Sequence, residues 1–307
     1  MILAGAKFGR ICQLKLEIGP LSPLNARTLT APEGLSVEFD INRQSLSSTQ
    51  TGQFRIFKMR PATRQAVYKD QLDWTQFRAV QFRAGYQTFM PLIFNGTILT
   101  AYSDREGAET STTVDCFDGG YSMTNGYTIQ SNAGGAVGQA AEDVIAQLGA
   151  GMPGVAGKPV VGSFPVANKR GEVLCGNTWN LIQLKSDGNA TISDGVVYAL
   201  NPTEGLIKGK VVDITTLTTA NDDIPVINSA TGLLGVPRRT GQIVEWDMVF
   251  EPRLTLFQVV SLQSTFNPMY NGIFKVMGFR HHGIISPMVN GPCRTTAWFY
   301  AAKAFAA

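Results

Sequence analysis

Two stretches far apart in the chain, Val37-Glu-Phe-Asp-Ile41 and Val244-Glu-Trp-Asp-Met248, alternate apolar and acidic side chains with a period of two. In an extended strand that period places Val37, Phe39 and Ile41, or Val244, Trp246 and Met248, on one face and the carboxylates on the other. Each stretch therefore demands a sheet with one buried and one wet face. Gly52–Met59, Phe77–Tyr86, Leu92–Tyr102 and Thr110–Phe117 add strands to the first part, and Gln242–Phe250, Gln258–Ser264, Gly272–Phe279 and Arg294–Tyr300 do so in the last third. Turn-rich pieces such as Asp104-Arg-Glu-Gly107 and a long loop, His281–Pro292, separate them. Pro61 opens a short helix to about Asp70, since proline is tolerated in a first helical turn.

Between these β regions the period changes. Ala136 to Leu148 carries Val137, Ala140, Ala141, Val144, Ile145 and Leu148 at helical spacing, which predicts a helix with a continuous apolar stripe. Asn177 is placed to cap a second short helix ending near Lys185. Asp194-Gly195 joins Ala190–Ser193 to Val196–Leu200 as a type I′ hairpin, because both central residues of that turn need positive φ. The expected fold class is mainly β with a small α+β part: residues 1–118 form a first β domain, 119–204 an inserted α+β domain, and 205–307 a second β domain.

Composition narrows the function. A net charge of +3, from 26 basic and 23 acidic residues, is too small to drive non-specific binding to nucleic acid or anionic membranes. The longest uncharged stretch, Gly119 to Ala141, is too polar for hydrocarbon, so no stable membrane insertion is expected. Lys7, Arg10 and Lys15 precede any long apolar run, the wrong order for a secretory signal, which points to synthesis in the cytosol. Cys12, Cys116, Cys175 and Cys293 lack the paired spacings of metal sites and read as reduced, mostly buried thiols.

The chemical motifs argue against an enzyme. Gly149-Ala-Gly-Met-Pro-Gly154 matches a nucleotide-binding fingerprint, but it follows a helix and contains Pro153, so it reads as a helix C-terminus and turn. His281-His282 is the only histidine pair; neighbouring strand residues face opposite ways, so the two cannot share a metal without a bulge. A surface or interface role with titration near neutral pH is expected for them. Asn95-Gly-Thr97 and Asn189-Ala-Thr191 read as turn residues, and Lys169-Arg170 and Arg238-Arg239 as solvated basic pairs. Asp104, Glu106, Glu109, Asp115 and Asp118 form an acidic rim without calcium-loop spacing. No catalytic, cofactor or metal residue is assigned.

An internal echo runs through the two β regions. Val37-Glu-Phe-Asp40 matches Val244-Glu-Trp-Asp247, Phe94-Asn-Gly96 matches Tyr270-Asn-Gly272, and Thr112-Thr113 matches Thr295-Thr296, in the same order. Such short pieces also recur by chance in β proteins. If the echo is a duplication, three copies of the chain can close a ring of six near-equivalent positions.

Val37–Ile41, Arg60–Asp70, Phe82-Arg-Ala-Gly-Tyr86, Leu92–Ile98, Gly232-Leu-Leu-Gly-Val-Pro237, Glu251-Pro252, Asn271–Val276 and His282-Gly283 together resemble the baseplate hub proteins of bacteriophage tails. That family has counterparts in R-type pyocins and at the base of type VI secretion spikes. The resemblance implies two tube-protein-like β-barrel or sandwich domains flanking the insertion. It also implies a homotrimer between the hexameric tail tube ring and the trimeric central spike, in contact with other tail-tip proteins. DNA is then only passing cargo in the lumen, and the chain resides in the virion. Two other readings compete: a tail-associated cell-wall hydrolase using the acidic residues around Asp115, and a carbohydrate-binding β module displaying Trp74 or Trp298.

Overall fold

The computed structural model describes residues 7, 9–17, 27–31, 35–45, 49–72, 77–87, 89–132, 139–164, 167–168, 170–218, 223–287 and 291–301. The first part contains β1 (Arg10–Leu16), β2 (Arg27–Ala31), β3 (Val37–Gln44), β4 (Gln50–Phe57), α1 (Pro61–Val67), β5 (Ala79–Tyr86), β6 (Leu92–Glu106) and β7 (Glu109–Asp118). The middle contains α2 (Gly120–Asn125), β8 (Tyr127–Asn132), β9 (Gln139–Ala140), α3 (Ala141–Ala150), β10 (Val160–Val161), β11 (Ala167–Asn168), β12 (Glu172–Asn177), α4 (Thr178–Lys185), β13 (Ala190–Ser193) and β14 (Val196–Ala199). The last part contains β15 (Glu204–Ile207), β16 (Lys210–Asp213), β17 (Val226–Ile227), β18 (Leu233–Thr240), β19 (Ile243–Val249), β20 (Val259–Leu262), β21 (Gly272–Ile285) and β22 (Cys293–Ala301).

The alternating stretches do what their period requires. In β3 the odd residues Val37, Phe39 and Ile41 are buried while Glu38 is exposed, and in β19 Val244, Trp246 and Met248 are buried between half-exposed neighbours. These strands sit in one 13-stranded sheet with the order β18-β19-β22-β21-β3-β4-β7-β6-β5-β1-β2, while β20 pairs with both β21 and β17. The sheet holds two five-strand units, β3-β4-β7-β6-β5 and β18-β19-β22-β21-β20. Counted in chain order, both read 1-2-5-4-3, with every pairing antiparallel.

The correspondence reaches single residues. β6 bulges against β7 between Ile98 and Thr100, and β21 bulges against β22 between Val276 and Gly278. Aligned on that bulge, Thr97 lies between Ala79 and Phe117 just as Lys275 lies between Val259 and Tyr300. Phe54 and Trp246 then coincide, and so do Thr112-Thr113 and Thr295-Thr296. The sequence echo is out of step elsewhere. Val37–Asp40 opens its unit as the first strand, whereas Val244–Asp247 lies in the second; β18 is the counterpart of β3. The two Asn-Gly pairs are offset by two residues. Alternation fixes which face a residue takes, but not which strand of a module it occupies.

In each unit a bulge interrupts the long strand, and a bulge bends its strand and increases the local twist. Phe82 of β5 packs over Phe39 and Phe54, with ring centroids 5.1 and 4.8 Å apart. In the second unit Trp246 stacks on Phe299 at 3.4 Å and meets Phe274 edge-on at 5.5 Å. A third core, built by Val144, Ile145, Leu148, Trp179, Ile182 and Ile192, belongs wholly to the middle stretch. There α3 starts at Ala141 rather than near Ala136, with Glu142 and Asp143 in its first turn; residues 133–138 lie outside the described residues. Asn177 caps α4 by accepting the Asn180 N–H at 3.1 Å, as its position predicts. Asp194 and Gly195 take φ of 54° and 74°, the left-handed pair that a type I′ hairpin needs.

Two expected loops are strands. Asp104 to Glu106 prolong β6, leaving the turn to Gly107 and Ala108, and β21 runs through His281 to Ile285. Both segments gain a hydrogen-bonded neighbour, β7 for the first and both β22 and β3 for the second, which overrides their weak strand composition.

Buried charge fastens the middle stretch to the first unit. Arg43, 1% exposed, donates from Nη2 to the Ile93 carbonyl at 2.9 Å and to the Asp194 carboxylate, and from Nη1 to the Ser193 hydroxyl, Nη1 also lying 3.6 Å from Asp118. Burial raises the Asp118 carboxyl to about 6, against the opposing pull of Arg43. Arg43→Met leaves that carboxylate without its cation and is expected to cost about 3–5 kcal/mol, read from the midpoint of a urea titration; a change within about 0.5 kcal/mol, the level of an ordinary surface substitution, would show that the cluster contributes nothing.

Candidate assembly interface

The sheet face turned away from the cores is polar and built from the alternate residues of β19, β22, β21, β3, β4 and β7. Its side chains bond to one another across strands: Gln53 donates to Asp115 at 2.8 Å, Thr100 to Asp115 at 2.9 Å, Thr296 to Asp247 at 2.6 Å and Trp298 Nε1 to Glu245 at 3.0 Å. A shallow groove of about 720 Å³ runs over this face where the two units meet. Around the groove five carboxylates, Glu38, Asp40, Asp115, Glu245 and Asp247, face four guanidinium groups, Arg55, Arg238, Arg280 and Arg294.

The meeting of the units is a strand junction. β21 pairs with β20 from Gly272 to Lys275, then exchanges that neighbour for β3, pairing Gly278 with Gln44 through to Ile285 with Val37. On the polar face Arg280 Nε donates to Asp40 Oδ1 at 2.7 Å, and a second guanidinium nitrogen reaches Oδ2. On the core face Phe250 of the second unit packs into the first core against Phe39 and Tyr86, whose hydroxyl donates to the Phe250 carbonyl at 2.7 Å.

The histidine pair straddles this junction. His281 is buried between Phe250 and Phe279, with Nδ1 2.8 Å from the Thr295 hydroxyl, so it is a core residue and not the surface group expected. Burial, aided by Arg43 and His282, pushes its pKa down to about 3; His282, half-buried on the polar face, is lowered chiefly by desolvation and by Arg280. Titration near neutral pH is therefore corrected for His281: strand alternation sends one of any two neighbours inward.

Among the described residues, β18 and the far half of β6 each keep an open strand edge, as does the terminal strand β2. β18 is the other terminal strand of the sheet, paired on one side with β19. On β6 the partner strand β5 ends its pairing at Thr97, and Lys69 bridges Ala101 through both backbone groups at 3.0 Å. Strand alternation then aims the N–H and C=O of Ser103 and Arg105 outward, where they meet no backbone partner among the described residues. Residues 102–109 are all exposed.

The remaining motif residues scatter. Asp104, Glu106 and Glu109 sit at the exposed β6–β7 tip, Asp115 is engaged on the polar face, and Asp118 lies behind the sheet with Arg43, so the acidic rim is not one site. Gly151 closes α3 by donating to the Gln147 carbonyl at 3.1 Å, and Gly154 takes φ of 79°, a helix end and turn. Cys12, Cys116 and Cys293 are buried and Cys175 is exposed. Trp298 is tied to Glu245, while Trp74 and Lys169 lie outside the described residues. Among the described residues no group of His, Cys, Asp and Glu gathers as a metal site, and no helix is long and apolar enough to cross a membrane. The open edges escaped the sequence reading, because β18 carries Gly235 and Pro237 and reads as a turn.

No protein-family profile and no curated protein matches the sequence. Solved structures do match in fold. A tail protein from Neisseria meningitidis MC58 superposes with a TM-score of 0.52 at 10% identity, covering 95% of this chain and 97% of its own. The 43 kDa tail protein of prophage MuSo2 from Shewanella oneidensis gives 0.56 at 7% identity, covering 95% and 98%. An E. coli component of the type VI secretion system that exhibits structural similarity to the T4 bacteriophage tail proteins gp27 and gp5 gives 0.54 at 9% identity, covering 94% and 76%. The chain thus shares its mainly β fold with these tail proteins.

The histidine environment has a pH consequence. With a folded pKa near 3 against an ordinary 6.5, His281 takes up a proton in the unfolded chain first, so its contribution is present above pH 6.5 and is lost as pH falls toward 3. His281→Gln is expected to flatten the fall of unfolding free energy between about pH 6 and 4, by up to about 1.4 kcal/mol per pH unit. Asp118, acting in the opposite sense over that window, is common to both proteins and cancels in the comparison. Equal slopes in denaturant titrations would contradict the buried neutral imidazole.

Proposed function

We propose that this chain is a structural subunit of a phage-type tail tip, whose role is to match two symmetries and not to catalyse a reaction. The observation that carries the reading is the repeated 1-2-5-4-3 sheet unit with its shared bulge and register. A subunit with two equivalent units lets three copies present six near-equivalent positions toward a hexameric tube ring and three toward a trimeric spike. Residues 1–118 and 205–307 are the two tube-like parts of this reading, and 119–204 an insertion between them. The fold shared with tail proteins, over nearly the full length of two of them, is in keeping with this.

The polar sheet face becomes the wall of the channel in this reading. Its excess of carboxylates over guanidinium groups repels a passing polyanion, so that DNA slides along the wall as cargo without being held. The apolar faces of the large sheet are taken up by the cores, which leaves its strand edges and loops, together with exposed apolar side chains such as Ile129 and Val173 of the middle stretch, for protein partners: other copies, the tube ring, the spike and neighbouring tail-tip proteins. The assembled chain belongs to the virion.

Light scattering of the purified protein is expected to give about 100 kDa, three times the 33.2 kDa chain, or further assembly when tube or spike protein is added. Image averages of the particle tip with the chain located should show threefold symmetry with six similar lobes. A well-behaved monomer with no affinity for either partner would sink the proposal.

A further inference from the structure

We infer that neighbouring copies join edge to edge, the outer edge of β6 in one copy pairing antiparallel with β18 of the next, and that Asp104 opposite Arg238 fixes the register. This deepens the ring reading and rests on it. The template is the junction already present inside the chain. There the long strand of the second unit, β21, pairs with the first strand of the first unit, β3. The counterparts of those two strands are β6 and β18, and among the described residues each of these keeps an open edge, as does β2 at the far end of the sheet, which has no counterpart in the junction.

Residue equivalence sets the register without further choice. Aligned on the two bulges, Gly278 corresponds to Thr100, so Arg280 corresponds to Tyr102 and His282 to Asp104. Aligned on β4 and β19, Asp40 corresponds to Arg238 and Asn42 to Thr240. The intrachain pairs Arg280 with Asn42 and His282 with Asp40 then translate into Tyr102 with Thr240 and Asp104 with Arg238. Backbone parity agrees: Ser103, whose N–H and C=O point outward, falls opposite Arg239, the position that a two-residue hairpin closed by Thr240 and Ile243 directs away from β19.

The charges are exchanged between the two junctions. Inside the chain the long strand brings the cation, Arg280, and the first strand the acid, Asp40. Between copies the long strand brings Asp104 and the first strand Arg238, both exposed and on the polar face. That polarity also selects the symmetry. Two β6 edges together would oppose Asp104 and Glu106 to their own kind, and two β18 edges would oppose Arg238 to itself, so two-fold self-pairing is penalised. The head-to-tail joint remains, and head-to-tail joints generate rings.

The test uses the full chain in a Cys175→Ser background, which removes the exposed native thiol. Asp104 and Arg238 would form a non-hydrogen-bonded pair, whose Cα atoms lie about 4.5 Å apart and within disulfide reach. Asp104→Cys with Arg238→Cys is expected to oxidise to a covalent ladder ending at three copies, whereas mixing Asp104→Cys with Asp40→Cys should give none. Asp104→Arg or Arg238→Asp alone is expected to weaken association at least about tenfold, and the double reversal to restore it to within about threefold, since the coupling lies in the pair. Unchanged unfolding midpoints would show that these exposed substitutions leave the subunit folded. Trimers that neither cross-link at this pair nor respond to the reversals overturn the joint while leaving the ring reading intact. A chain that stays monomeric with tube and spike protein present overturns both.

Discussion

The structure depends on one backbone junction, the pairing of β21 with β3. A strand edge carries a row of N–H and C=O groups that must find partners in protein or water. By changing neighbours at its bulge, β21 closes the first unit's edge with its far half while its near half completes the second unit. The same pairing brings Phe250 into the first core and buries His281 beneath it. Two modules become one continuous sheet, with its apolar and polar faces kept in phase across the join.

Buried cations tie the inserted stretch at both of its ends. Arg43 holds the β13–β14 hairpin near the point where the chain leaves β7. Lys275 holds the point of return, donating to the Asn201 carbonyl at 2.8 Å, and burial lowers it to about 8. A charge removed from water is retained only where fixed partners replace its hydration, so these contacts work as locators more than as sources of net stability. The insertion is thereby set against the sheet at defined points while keeping its own core.

Much of this was legible from residue pattern alone. Period-two alternation placed the first five residues of β3 and located β4, β7, β19 and β22 to within a residue or two, and the Asp194-Gly195 turn and the Asn177 cap followed from local φ requirements and capping chemistry. β18 and the far ends of β6 and β21 were not legible. Gly235, Pro237 and the Asp104-Arg-Glu-Gly107 run carry turn composition; Gly235 to Pro237 sit where β18 breaks register with β19, and Asp104 to Glu106 are strand because β7 supplies hydrogen bonds along them. The duplication was visible at Thr112-Thr113 and Thr295-Thr296 but misaligned elsewhere, since Val-Glu-aromatic-Asp is a signature of a half-buried strand and not of a particular strand.

What the amino-acid order settled by itself was local: which segments extend or coil, which face of each is apolar, and where the tight turns fall, because those follow from side-chain period and backbone sterics within a few residues. What only the tertiary structure decided was which edges are satisfied and which are left open. That is a property of pairings hundreds of residues apart, such as His281 with Ile41, and the same His-His dipeptide could have been surface or core until β3 covered one side of it.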